Sequence, residues 1–178
     1  MALPLGDLLR MGAGMAHYCL VPSAADALEG AGIALRAAAP AELTTREGMS
    51  CVSAKIVGGS FSPDFTKGEI SFDGGFEFAH EDGRRLVMTG LKGDVPTGLI
   101  SADVHGAEER RSEVLSFAID PARMQLGPAE LKAHIAFTLT DGGAAAFRSV
   151  FGVVPIPSGG EMFDGHGIAA ITAAGVRL

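Results

Sequence analysis

The stretch Gly68-Glu69-Ile70-Ser71-Phe72-Asp73-Gly74-Gly75-Phe76-Glu77-Phe78 carries two short alternating runs, Ile70-Ser71-Phe72 and Phe76-Glu77-Phe78, on either side of Asp73-Gly74-Gly75. A period of two sends every second side chain to one face of a strand. Asp-Gly is a turn dipeptide whose glycine accepts a positive φ at no steric cost. A tight hairpin or a bulged strand is expected here. Working outward, Glu81-Asp82-Gly83 is another turn signal, Leu86–Thr89 reads as a strand, and Leu99–Val104 reads as the next, so a meander develops. Glu113–Ile119 and His134–Thr140 alternate in the same way, and a last strand is expected near Ile168–Thr172.

Two segments depart from this rhythm. Ser23 precedes Ala24-Ala25-Asp26-Ala27-Leu28-Glu29, a run of good helix formers with a hydroxyl cap in front and Gly30 and Gly32 behind. The second helix is expected from about Gly142 to Phe151, with Asp141 as its cap and Gly152 as its stop. Val153 to Gly160 carries two prolines and reads as a loop, because proline has no amide to give a central strand. No internal repeat or long linker divides the chain. The fold class is therefore all-β, a mainly antiparallel β sandwich or barrel with two short peripheral α-helices, as one domain over residues 1–178. Residues 1–16, rich in Gly and Met, are expected to form a flexible N-terminal segment or lid.

Composition narrows the function classes. The chain has 178 residues, with 14 Lys+Arg against 21 Asp+Glu and a formal net charge of −7. No general basic field exists to release counterions from nucleic acid, and Arg84-Arg85 and Arg110-Arg111 stand beside carboxylates, so no nucleic-acid partner is expected. Hydrophobic residues make up 47% of the chain, yet Gly and Pro break them into runs far short of the ~20 residues that span a bilayer. No membrane span is expected. Met1–Val21 lacks the order of an export signal, because Asp7 and Arg10 interrupt its apolar residues. A cytoplasmic location follows as the expectation, a mature exported form being the alternative, and Cys19 and Cys51 are read as reduced thiols, paired only if the chain is exported.

The order of elements resembles the HtaA-type domains of actinobacterial proteins. The resemblance lies in the short helix Ser23–Gly30, then Ile33–Pro40, Ile56-Val57-Gly58-Gly59, the Gly68–Phe78 stretch and Leu99–Val104. It continues in Leu139-Thr140-Asp141-Gly142-Gly143-Ala144, which is similar to the family's Leu-Thr-x-x-Gly-Ala. It covers most of the chain beyond residue 20. What it implies is an antiparallel β-fold with peripheral helices and, as in the haem-uptake members, haem held by an axial tyrosine assisted by histidine. Tyr18 is the one tyrosine available for that role. The family's Gly-x-x-x-x-Gly-His-x-Gly stretch compares with Phe72-Asp73-Gly74-Gly75, where glycine stands in place of histidine.

The remaining chemistry is sparse. A phenol such as Tyr18 can ligate ferric iron as phenolate or donate a hydrogen bond to a bound carbonyl. The plainer alternative is an aromatic that closes one end of the fold with its hydroxyl on backbone or water. If the surrounding segment is a strand, His17 and Cys19 point to the face opposite Tyr18. His17, His80, His105, His134 and His166 show no HxH, HExxH or CxxC spacing, so no metal site is expected. His134 and His166 are retained with Tyr18 as candidate cofactor-binding residues because their segments could face an interior. Neither a G-x-S-x-G elbow nor a phosphate-binding loop is present.

Three functions remain. The first is a module that binds a hydrophobic or planar small molecule, haem-like by the resemblance, in an apolar β-fold cavity. The second is a cofactor-free cyclase or isomerase acting on a hydrophobic intermediate, with Tyr18 as its candidate catalytic residue and a shaped cavity to orient the substrate. The third is an interaction protein that pairs through edge strands.

Overall fold

The computed structural model describes residues 8–173. Its elements are β1 (Leu9–Leu20), α1 (Pro22–Gly30), β2 (Ile33–Ala38), β3 (Glu42–Arg46), β4 (Met49–Phe61), β5 (Gly68–Phe72) and β6 (Gly75–His80). They continue with β7 (Arg85–Asp94), β8 (Leu99–His105), β9 (Glu109–Phe117), β10 (Met124–Leu126), β11 (Glu130–Leu139), α2 (Asp141–Phe151) and β12 (Glu161–Ala173). All strand pairings are antiparallel. The path β7-β5-β4-β1-β12-β11-β9-β8 returns to β7 through the β7–β8 pairing, which closes an eight-stranded barrel. β2 and β6 extend the sheet beyond β7, while β3 and β10 flank β4 and β11. Closure removes the free edges of the barrel strands.

The Gly68–Phe78 stretch takes the bulged-strand alternative. β5 and β6 both lie against β7, with Ser71 opposite Lys92 and Phe76 opposite Met88, so the four residues Phe72–Gly75 stand against the three residues Thr89–Leu91. One extra residue bends the strand. On the other side the neighbour changes, from β4 along β5 to β2 along β6. Glycine is required at this fork: Gly74 has φ +84°, and a Cβ there would lie 2.5 Å from the Ala38 carbonyl oxygen. At Gly75 a Cβ would collide with the Met88 carbonyl.

The helices begin where expected but are capped differently. Pro22 occupies the first turn of α1, and Val21 precedes it without a side-chain cap, so Ser23 sits inside the helix and does not cap it. Proline suits that first turn, where its missing amide costs nothing. In α2 the Thr140 hydroxyl, rather than Asp141, accepts from the Gly143 amide, and Gly152 closes the helix in the left-handed region at φ +74°. Phe147 of α2 meets Phe78 edge-on at 4.8 Å, which seats the helix on the extended sheet.

The expected N-terminal segment or lid, residues 1–16, is described only in part. Residues 1–7 lie outside the described residues, and Leu9–Ala16 belong to β1, which is hydrogen-bonded to β4 on one side and β12 on the other. A bulge at Gly12–Ala13 opposes two residues to Ala170 alone, and it lets Met11 and Tyr18 both turn into the barrel despite their odd and even positions. The free-thiol expectation is corrected. Cys19 and Cys51 are register partners on β1 and β4 and form a disulfide. Sheet register brings together two residues that chain spacing holds 32 apart. Among the described residues, no helix is long and apolar enough to cross a membrane.

Candidate functional site

Tyr18 is the centre of the barrel interior. It is 1% exposed, and its ring is surrounded by Phe137 at 5.0 Å, Phe76 at 5.1 Å, Phe72 at 5.7 Å and Phe163 at 5.9 Å between centroids. Opposite it on β12 stands Gly165, where a Cβ would collide with the Phe137 ring. The missing side chain makes room for the aromatic cluster. An apolar cavity of about 80 Å³ adjoins Tyr18, bounded by residues such as Met11, Ile56, Phe72, Phe117 and Ile135. An eight-stranded barrel encloses about enough space for its own side chains or for one small ligand.

Within this apolar setting the Tyr18 hydroxyl has no hydrogen-bond partner, alone among buried side-chain polar atoms of the described residues. Burial pushes its pKa well above the ordinary tyrosine value, because an apolar surround disfavours the phenolate. The group is a neutral phenol, able to donate one hydrogen bond and to accept another.

His134 and His166 occupy the other face of the same wall. His17, His166 and His134 are aligned in register across β1, β12 and β11, one residue along from the inward row of Tyr18, Gly165 and Ile135. Strand alternation puts the two rows on opposite faces. The structure thus brings His134 and His166 together, with rings stacked at 4.3 Å, and separates both from Tyr18. Asp164, two residues before His166 on β12, joins them: its carboxylate lies 2.5 Å from His134 Nε2 and 3.3 Å from His166 Nε2. The sequence reading omitted Asp164. Its signal was an Asp-x-His pair within a strand, a spacing that sets both side chains on one face.

Basic groups surround this cluster. The Arg123 guanidinium lies against the His134 ring, 2.7 Å from Nδ1 and 2.9 Å from Nε2, and Arg46 and Lys132 border the cleft beside it. His17 is anchored by a 2.6 Å contact between Nδ1 and the Ser53 hydroxyl, which in turn meets Thr44 Oγ1 at 2.7 Å. Burial, then the charges of Arg46 and His166, hold its pKa below the usual histidine value. His80 and His105, read as turn residues, end β6 and β8 respectively.

No protein-family model and no curated protein matches the sequence. Solved structures do match the fold. The C-terminal domain of HtaA from Corynebacterium glutamicum superposes with a TM-score of 0.64 at 14% identity, over 92% of this chain and 99% of that one. The N-terminal domain of the same protein gives 0.58 at 13% identity, over 91% and 98%. The heme binding protein HtaB from that organism gives 0.56 at 13% identity, over 93% and 94%. The chain has the HtaA-like fold, as the resemblance in its element order implied.

Proposed function

We propose that this domain binds a compact, largely apolar molecule inside the barrel and that Tyr18 orients it through a hydrogen bond. The observation that carries this reading is the Tyr18 hydroxyl, buried without a partner beside an apolar cavity. An unsatisfied buried polar group costs roughly 1–3 kcal/mol. A ligand carrying one acceptor atom relieves that cost as it binds. The cavity sets the size class. At about 80 Å³ it is well below the roughly 300–1,000 Å³ of pockets for drug-sized ligands.

The likeness to HtaB makes haem the second reading. At about 80 Å³ the cavity as it stands does not hold a haem ring, and the neutral phenol that burial favours is not the form that ligates ferric iron. By strand alternation the side chains of His134 and His166, expected to serve the same ligand, point to the other face of the wall, with His166 also bordering the cavity. The catalytic alternative, a cofactor-free cyclase or isomerase, would have shape and one phenol to work with, since apart from His17 and His166 the residues that line the cavity beside Tyr18 are apolar. That balance supports binding over turnover. The Cys19–Cys51 bridge supports an oxidising compartment in place of the expected cytoplasm.

The test pairs two probes. Fluoroacetophenone, an aromatic ketone observed by fluorine NMR, is expected to bind and to weaken about 3- to 10-fold in Tyr18→Phe, the range for loss of one hydrogen bond. Haem, followed in the visible region, is expected to give no stoichiometric Soret band. A stoichiometric band lost in Tyr18→Phe replaces the compact-ligand reading with the haem one. Binding of neither probe removes the barrel interior as a ligand site.

A further inference from the structure

We infer that the outer face of the β1–β12–β11 wall holds a divalent transition-metal site formed by His134, Asp164 and His166. Strand alternation sends its donor side chains to the face opposite Tyr18, and His166 also borders the apolar cavity. Three donor atoms, one from each side chain, lie within 4.8 Å of one another. The arrangement follows from the sheet. Asp164 and His166 are two apart on β12 and so share a face, and His134 on β11 is the direct register partner of His166. Metal bonds of about 2.0–2.2 Å require ligand atoms about 3.3–3.5 Å apart around a tetrahedral ion. His166 Nε2 lies 3.3 Å from one Asp164 oxygen and His134 Nε2 2.5 Å from the other, while the two imidazoles are stacked at an interplanar angle of 16°, so binding requires the rings to turn until their lone pairs converge on the ion.

The donor set selects the class of ion. Two imidazoles and one carboxylate suit Zn²⁺, Ni²⁺, Cu²⁺ or Fe²⁺, whereas Ca²⁺ and Mg²⁺ need shells of oxygen. The surroundings sharpen that choice. The cleft that His134 and His166 line is bordered by Arg46, Arg123 and Lys132, so a cation held mainly by charge is disfavoured there and one bonded to imidazole nitrogen is not. The side chains are 34%, 27% and 34% exposed in the order His134, Asp164, His166, which leaves the metal's remaining positions open to water or to a small anion. Three protein ligands with an open position is the pattern of reactive rather than purely structural zinc sites.

Arg123 is the competing element. A guanidinium has only donors, and Arg123 lies 2.7 Å from His134 Nδ1 and 2.9 Å from Nε2, the nitrogen a metal would take, so its positive charge stands at the metal position. A metal bound through His134 Nε2 leaves Nδ1 protonated and expels the guanidinium from that contact. Arg123 sits on an exposed 3-10 turn, Pro121–Arg123, which permits it to swing away.

The test is titration of tag-free protein with Zn²⁺ by calorimetry and with Co²⁺ by visible spectroscopy, folding of each variant being checked by circular dichroism. One equivalent is expected to bind. Asp164→Asn and His166→Ala should each weaken it at least tenfold, His80→Ala should leave it unchanged, and Arg123→Ala should tighten it about threefold or more. Absence of saturable binding to the wild-type protein overturns the site, as does binding that survives both Asp164→Asn and His166→Ala. Weakening in Arg123→Ala overturns the competing role given to that residue.

Discussion

Tyr18, Gly165 and Ile135 form one row across β1, β12 and β11, and His17, His166 and His134 form the next, yet the two rows meet opposite environments. The inner row packs phenyl rings around an unpartnered phenol. The outer row stacks imidazoles beside a carboxylate and a guanidinium. A single-residue step along a strand reverses the direction of the side chain, so adjacent residues can belong to unrelated chemistries. Tyr18 and the pair His134 and His166 thus meet different surroundings, although all three residues lie on adjoining strands.

The strongest way to break this comparison is to truncate both faces. Tyr18→Ala removes a core ring and should cost roughly 3–5 kcal/mol, the range for large aromatic deletions. His166→Ala removes a half-exposed ring and should cost less than about 1 kcal/mol. Urea denaturation of both variants checks this, and equal losses would mean that the outer face is as much a packing surface as the inner one.

The disulfide comes next, because it ties β1 to β4 on the outer side of the wall. Reduction, or the double variant Cys19→Ser and Cys51→Ser, should lower stability by roughly 2–4 kcal/mol. Thermal melts with and without reductant measure it. A melt indifferent to reductant would show that the strand pairing holds without the bridge.

A smaller effect of opposite sign belongs to the hydroxyl alone. Tyr18→Phe removes an unsatisfied donor and keeps the ring, so the ligand-free protein should gain up to about 1–2 kcal/mol while ligand binding weakens. A loss of stability on this change would reveal that the hydroxyl is satisfied in solution, by ordered water for example.

The smallest expected effect is a pH slope from the outer row. Burial first, then Arg46 and His166, hold His17 below its reference value of 6.5. The unfolded chain then binds the proton more readily than the folded one, so the contribution of neutral His17 is complete above about pH 6.5 and is lost as pH falls through the lowered folded value. His17→Gln should flatten that acid-side decline in a denaturation series. An unchanged slope would transfer the effect to other groups of the cleft.

Much of the molecule was legible along the chain. Alternating runs separated by Asp-Gly and Gly-Gly pairs dictated antiparallel strands, because a half-buried strand must present apolar residues with a period of two. The bulge at Asp73-Gly74-Gly75 was one of two readings, and only the count of residues opposite it on β7 separates a bend from a hairpin. Position within a strand placed His17 and Cys19 opposite Tyr18 once β1 was established. Residues 9–16 misled because Gly and Met lower the apparent order of a segment, while their pairing with β4 and β12 is a property of residues far away in sequence.

Local sequence dictated the class of fold and the position of its two helices, since these follow from periodicity and capping. Tertiary structure alone decided closure into a barrel, the pairing of Cys19 with Cys51, the isolation of the Tyr18 hydroxyl and the convergence of His134, Asp164 and His166. Each of these depends on strand register. Register is fixed by the summed burial of a whole sheet, and no spacing along one chain segment encodes it.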